Sequence, residues 1–163
     1  MKTLVILFLT LNLAAQTYIG VELDPTMLIK EDGIDITFIV SDAQRILKQD
    51  FRVGAILEMY TKRHYYGVGV TLDYPVTYNY FFASIGIELG LIIRDKQTLE
   101  YNKEILIIEK SPTYGLNGTL GYWFADNFAI TARLNYKRRY DLDKWNKDKY
   151  IPSGYLGIRY RLK

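Results

Sequence analysis

The stretch spanning residues 114–137, YGLNGTLGYWFADNFAITARLNYK, constrains the fold more than any other part of the chain. It reads as two strands joined by a tight turn. In the first arm Tyr114, Leu116, Gly118, Leu120, Tyr122 and Phe124 share one face. Gly115, Asn117, Thr119, Gly121 and Trp123 share the other. In the second arm Phe128, Ile130, Ala132, Leu134 and Tyr136 alternate with Ala129, Thr131, Arg133, Asn135 and Lys137. Ala125-Asp126-Asn127 supplies the turn chemistry. A period of two is that of a β-strand. The apolar face begins and ends in aromatics, and the opposite face is small, polar or charged. This inverts a soluble barrel, whose lumen is its apolar core. It suits a strand with lipid outside and a polar interior.

The rest of the chain repeats the pattern, and about eight strands are expected. Residues 17–26 set Ile19, Val21 and Leu23 against Tyr18, Gly20, Glu22 and Asp24. Residues 27–33 read as a loop. The second strand covers residues 34–41. The segment 41–50, SDAQRILKQD, has no clean period and reads either as that strand's tail or as a short helical turn. Strands follow at 51–60, 65–74 and 80–94, with residues 75–79 as a turn. The segment 95–113 carries an apolar centre, Ile105–Ile108, suited to a β-ribbon beyond the membrane. After the hairpin comes the charged loop 138–149, then a last strand at 150–163. Short connectors on one rim and long ones on the other are the pattern of outer-membrane barrels, the short turns being periplasmic.

The chain has 163 residues, which points to one domain. Met1-Lys2 precedes an apolar run closed by Ala14-Ala15-Gln16, the pattern of a cleaved signal peptide. The expected organisation is a signal peptide at 1–16 and a barrel at 17–163. The apolar run is shorter than the ~20 residues a spanning helix needs. Cysteine is absent, so no disulfide framework or lipid-modified cysteine is available. A net charge of +3 is too small to imply nucleic acid. The 15 tyrosines suit sites where one end of a side chain is apolar and the other wet.

Two sets of residues follow from the alternation. Glu22, Arg52, Glu58, Asp73, Glu88, Arg94, Arg133, Arg159 and Arg161 fall on the face away from lipid. An eight-stranded bore is only wide enough for side chains to fill it, and buried charges there must be paired. A plugging Glu–Arg network is expected, with Glu58 and Glu88 partnered by Arg52, Arg133 or Arg159. Inward glycines, among them Gly121 and Gly157, leave room for long side chains. On the lipid face, Phe51, Tyr74, Phe81, Phe124, Phe128 and Tyr160 gather toward the short-turn rim. Tyr66, Tyr114, Tyr136 and Tyr150 gather toward the long-loop rim. Two such belts mark the two membrane interfaces.

The pattern resembles the small outer-membrane β-barrels of Gram-negative bacteria, of the OmpA/OmpX type. The last strand adds Gly157, Tyr160 and Leu162, similar to the signal read by the barrel-assembly machinery. The chain ends in Lys163, where that family usually ends on an aromatic. The resemblance implies an all-β, antiparallel up-and-down transmembrane barrel in the outer membrane. Its partners would be membrane lipid, lipopolysaccharide and, during biogenesis, the assembly machinery. Family members include structural, adhesive and porin-like barrels and some enzymes, so the fold does not choose among them.

The leading reading is a structural, adhesive or interaction role through the extracellular loops, with an extracellular ligand as a further partner. The alternatives are a narrow channel, a lipid A-modifying enzyme and a soluble lipocalin-like barrel. His64 is the chain's one histidine, and no serine stands near it in sequence. Without a base–nucleophile pair, a metal-ligand spacing or a phosphate loop, neither catalysis nor a cofactor is expected. Arg138, Arg139, Lys144, Lys147 and Lys149 form a solvated loop whose cations could also meet lipopolysaccharide phosphates.

Overall fold

The computed structural model describes residues 16–30, 34–61, 65–100, 103–139 and 150–162. The expected signal peptide lies outside these residues except for Gln16. Eight strands form a closed barrel in sequence order: β1 (Thr17–Leu23), β2 (Asp35–Ile46), β3 (Gln49–Tyr60), β4 (Tyr65–Tyr78), β5 (Phe81–Glu100), β6 (Lys103–Trp123), β7 (Phe128–Arg139) and β8 (Tyr150–Arg161). Every pairing is antiparallel, and β1 closes the wall against β8 from Tyr18↔Arg161 to Leu23↔Leu156. Closure removes the open edges that would otherwise invite pairing with other chains. No helix among the described residues is long and apolar enough to cross a membrane.

Among the described residues the outward face of the wall is largely apolar and exposed, and the inward face is buried and mostly polar. On β7, Leu134 is 72% exposed while its neighbours Arg133 and Asn135 are buried.

Two local structures differ from the sequence expectation, and a third decides between two alternatives. The loop expected at 27–33 begins instead as a short helix, α1 (Pro25–Lys30). Asp24 caps it: the Thr26 backbone N–H and hydroxyl both donate to Asp24 Oδ1, at 2.8 and 2.6 Å. Pro25 sits at the first helical position, where a missing N–H costs no hydrogen bond. Second, β4 runs through Pro75 to Tyr78 rather than turning at Pro75. Its paired run with β3 ends at Asp73, so one edge is open where the proline falls.

Third, the ambiguous segment 41–50 is a strand tail, with Ile46 opposite Gln49 across a two-residue turn. Leu47 and Lys48 have φ of 51° and 67°. Two left-handed residues suit the twist of a hairpin, but the usual sequence is Asn-Gly, because other side chains are strained there. Replacing Leu47-Lys48 by Asn-Gly is expected to raise stability by about 1 kcal/mol. Urea unfolding of the refolded barrel reads this; an unchanged or lower midpoint contradicts it.

The β5–β6 hairpin extends well past the wall. β4 leaves β5 at Arg94 and β7 leaves β6 at Thr113, while β5 and β6 stay paired to Glu100↔Lys103. At ~3.3 Å per residue the ribbon projects roughly 20 Å. An Arg94–Glu109 ion pair of 3.3 Å closes its base.

Candidate functional site

Among the described residues, chemistry-bearing side chains converge in the lumen, which is built in layers. The middle layer is a chain of charges. Arg133 on β7 donates through Nε to Glu22 on β1, and its Nη1 lies 3.4 Å from Glu88 on β5. Lys137, two pleat repeats further along β7, bridges Glu88 and Glu58, the latter at 2.9 Å. Asn135 donates to Glu88 at 3.3 Å, and the Tyr155 hydroxyl to Glu58 at 3.1 Å. The Arg133 guanidinium also lies 4.5 Å over the Tyr155 ring. Each carboxylate thus meets a cation and a neutral donor or ring, which is what buried charges require.

Apolar layers lie on either side. Toward the short turns, Tyr18, Phe82, Trp123 and Ala129 form one cluster. Gly121 makes room for it: a Cβ there would collide with the Phe82 ring. Toward the long loops, Tyr60 and Ile92 form another, and Met27 of α1 packs on them. The helix that sequence reading missed therefore helps close the mouth.

The charged positions expected inward are distributed unevenly. Glu22, Glu58, Glu88 and Arg133 meet in the middle layer. Arg52, Asp73 and Arg159 are buried in a separate layer nearer the short turns. Arg161 stacks 4.1 Å over Trp123 at that rim, and Arg94 serves the ribbon base. Glu88 pairs with Arg133 as expected, and Glu58 pairs with Lys137, which lies outside the expected charged set. The omission of Lys137 was avoidable, since it continues the inward alternation of Arg133 and Asn135.

The outward aromatics lie in two groups. At the short-turn rim Phe51 meets Tyr74 at 5.8 Å, Phe81 meets Tyr122 at 4.9 Å, and Phe128 meets both Tyr160 and Phe124, at 4.8 and 6.3 Å. At the opposite rim Tyr150 stacks on Tyr136 at 5.2 Å and meets Tyr114 edge-on at 6.5 Å, with Tyr66 exposed nearby on β4. Tyr78 and Tyr80 join the first group because β4 continues past the expected turn.

Gly157 stands opposite Glu22 on the closing seam. A Cβ there would collide with the Val21 carbonyl and press on Glu22, so the seam itself requires glycine. Tyr160 belongs to the aromatic group, and the Leu162 N–H donates to the Thr17 carbonyl at 2.8 Å. His64, Lys144, Lys147 and Lys149 lie outside the described residues, and only the backbone of Arg139 is described. Among the described residues no group of acidic or histidine side chains could hold a metal.

The sequence matches no protein-family model and no curated relative. Solved structures are similar in shape at low identity. The N-terminal β-barrel domain of Pseudomonas aeruginosa OprF aligns over 91% of this chain and 98% of its own, with TM-score 0.55 and 14% identity. Neisserial surface protein A (NspA) aligns over 91% and 95%, with TM-score 0.52 and 16% identity. The Yersinia pestis outer membrane protein Ail aligns over 91% and 99%, with TM-score 0.52 and 14% identity. A closed antiparallel wall of eight strands, apolar outside and polar inside, and neighbours of this kind give one result: the chain has the fold of the small outer-membrane β-barrels.

Proposed function

We propose that the chain is an integral outer-membrane protein with a closed lumen, acting in a structural, adhesive or interaction role through its extracellular end. The observation that carries this reading is the filled bore. Glu22, Arg133, Glu88, Lys137 and Glu58 form one ion-paired chain between two apolar layers. A barrel of this strand number has little room beyond its own side chains. With transport and catalysis set aside, the surfaces left to meet partners are the lipid-facing wall and the rims.

Short turns are periplasmic in such barrels, so α1 and the β5–β6 ribbon face the medium. The ribbon is the natural surface for an extracellular ligand, since it projects beyond the wall with both outer edges open. The name of one neighbour, a surface protein, agrees with this orientation. Export would use residues 1–16. The assembly machinery would read Gly157, Tyr160 and Leu162. Lipopolysaccharide phosphates would meet Arg138, Arg139, Lys144, Lys147 and Lys149 as charge-assisted pairs.

Single-channel recording in planar bilayers tests the closed lumen. No steady conductance step is expected; a stable open level contradicts the reading. Deleting residues 95–112 tests the ribbon. The variant is expected to fold as a barrel and to lose cell-surface adhesion, whereas unchanged adhesion removes the ribbon from the account.

A further inference from the structure

The lumen holds a second set of charges that the ion-paired chain does not use. Arg52 on β3 and Arg159 on β8 are 6% and 4% exposed. Both guanidiniums approach the same ring: their Cζ atoms lie 5.9 and 5.3 Å from the Phe82 centroid, and that of Arg52 is also 4.5 Å over Tyr18. The two cations repel one another. Asp73 is the carboxylate of this layer, directly opposite Arg52 in the β3–β4 register. It forms no ion pair with either arginine among the described residues. Glu22, the next carboxylate, is already bound to Arg133.

Several donors are left over. Arg52 Nε and Nη1 and Arg159 Nη1 are buried without a hydrogen-bond partner. Ring stacking uses only the face of a guanidinium; its N–H groups lie in the plane and need acceptors there. Arginine stays charged in proteins, so this layer cannot neutralise itself. Within this layer Arg52 and Arg159 exceed Asp73 by one positive charge, while the neighbouring layer sets three carboxylates, Glu22, Glu58 and Glu88, against the two cations Arg133 and Lys137.

We propose that the periplasmic half of the lumen binds a small inorganic anion of single charge and halide size between the guanidiniums of Arg52 and Arg159. Such an anion accepts the in-plane N–H groups that have no partner and offsets the mutual repulsion of the two guanidiniums within their own layer. The closing layer of Tyr18, Phe82 and Trp123 limits the guest to a small ion. The nearer rim is that of the short turns, with the Tyr18, Phe82 and Trp123 layer in between. A recess of about 520 Å³ opens there, lined by Asn79, Tyr80, Tyr122, Trp123, Asp126 and Arg161. Arg161 stacks on Trp123 at the mouth, and its Nε is also unpartnered. A third cation at this point draws anions inward.

The test combines two measurements on the full barrel refolded in detergent. Crystals grown or soaked in sodium bromide are measured at the bromine absorption edge. Urea unfolding is followed in sodium bromide and in sodium gluconate at equal ionic strength, for the unaltered chain and for Arg159→Gln. The expected result is an anomalous peak within hydrogen-bond distance of both guanidiniums. The folded-to-unfolded ratio should rise with bromide as one plus the bromide concentration divided by Kd, about elevenfold at ten times Kd. Gluconate should not raise it, and Arg159→Gln should lose the rise. The proposal is overturned by the absence of a peak together with equal midpoints in both salts, which means the layer holds water alone. A bromide response that persists in Arg159→Gln also overturns it, as does a peak without any stability response, which means an adventitious ion only. The crystallographic measurement and the salt comparison use the unaltered chain, so they decide the matter even if Arg159→Gln fails to fold.

Discussion

Arg133→Met is expected to cost about 3–5 kcal/mol of barrel stability, the loss seen when one partner of a buried ion pair is removed. Arg133 is the link between Glu22 and Glu88. Without it Glu88 still meets Lys137 and Asn135. Glu22, fully enclosed, keeps only the Thr131 hydroxyl at 3.5 Å. The stranded charge on Glu22 therefore dominates the loss. Glu22→Gln added to Arg133→Met should recover a large part of it, while Glu88→Gln should recover little. Urea unfolding in lipid vesicles measures all three variants. If Arg133→Met costs no more than a typical surface substitution, about 0.5 kcal/mol, the ion-paired chain does not hold the lumen together.

Leu134→Arg is the second large effect, and it separates a membrane barrel from a soluble one. Leu134 lies at the middle of β7 and is 72% exposed. In water, exchanging an exposed leucine for arginine changes stability by no more than about 0.5 kcal/mol. At the midplane of a bilayer the same exchange costs about 2–4 kcal/mol. Unfolding from phosphatidylcholine vesicles should show the larger loss. A neutral result would mean that this face meets water. Leu134 and Arg133 are adjacent in sequence, so the pair probes both sides of the wall.

The faces of the strands were legible in the sequence because a period of two assigns each residue to one side directly. Glu22, Arg52 and Glu88 were placed inward on that ground alone. Partner choice was not legible in the same way. It depends on strand stagger around the closed wall, which brings Lys137 of β7 to Glu58 of β3 on the far side. The β2–β3 turn was hidden because Leu47 and Lys48 are not turn formers, and their conformation is imposed by the register on either side. Helix α1 carried a signal, Asp24 followed by Pro25, but a single helical turn is too short to show a helical period. Pro75 looked like the end of a strand because its tolerance depends on where β3 stops, a fact of the tertiary structure.

A closed barrel with this apolar outer face is expected to reside in the outer membrane. Fractionation of expressing cells, followed by gel electrophoresis of the outer-membrane fraction with and without boiling, tests it most directly. The protein is expected to be recovered in that fraction and to migrate faster unboiled than boiled, as a wall closed by β1 and β8 resists detergent until heated. Recovery in the soluble periplasm, or identical migration before and after boiling, would contradict it.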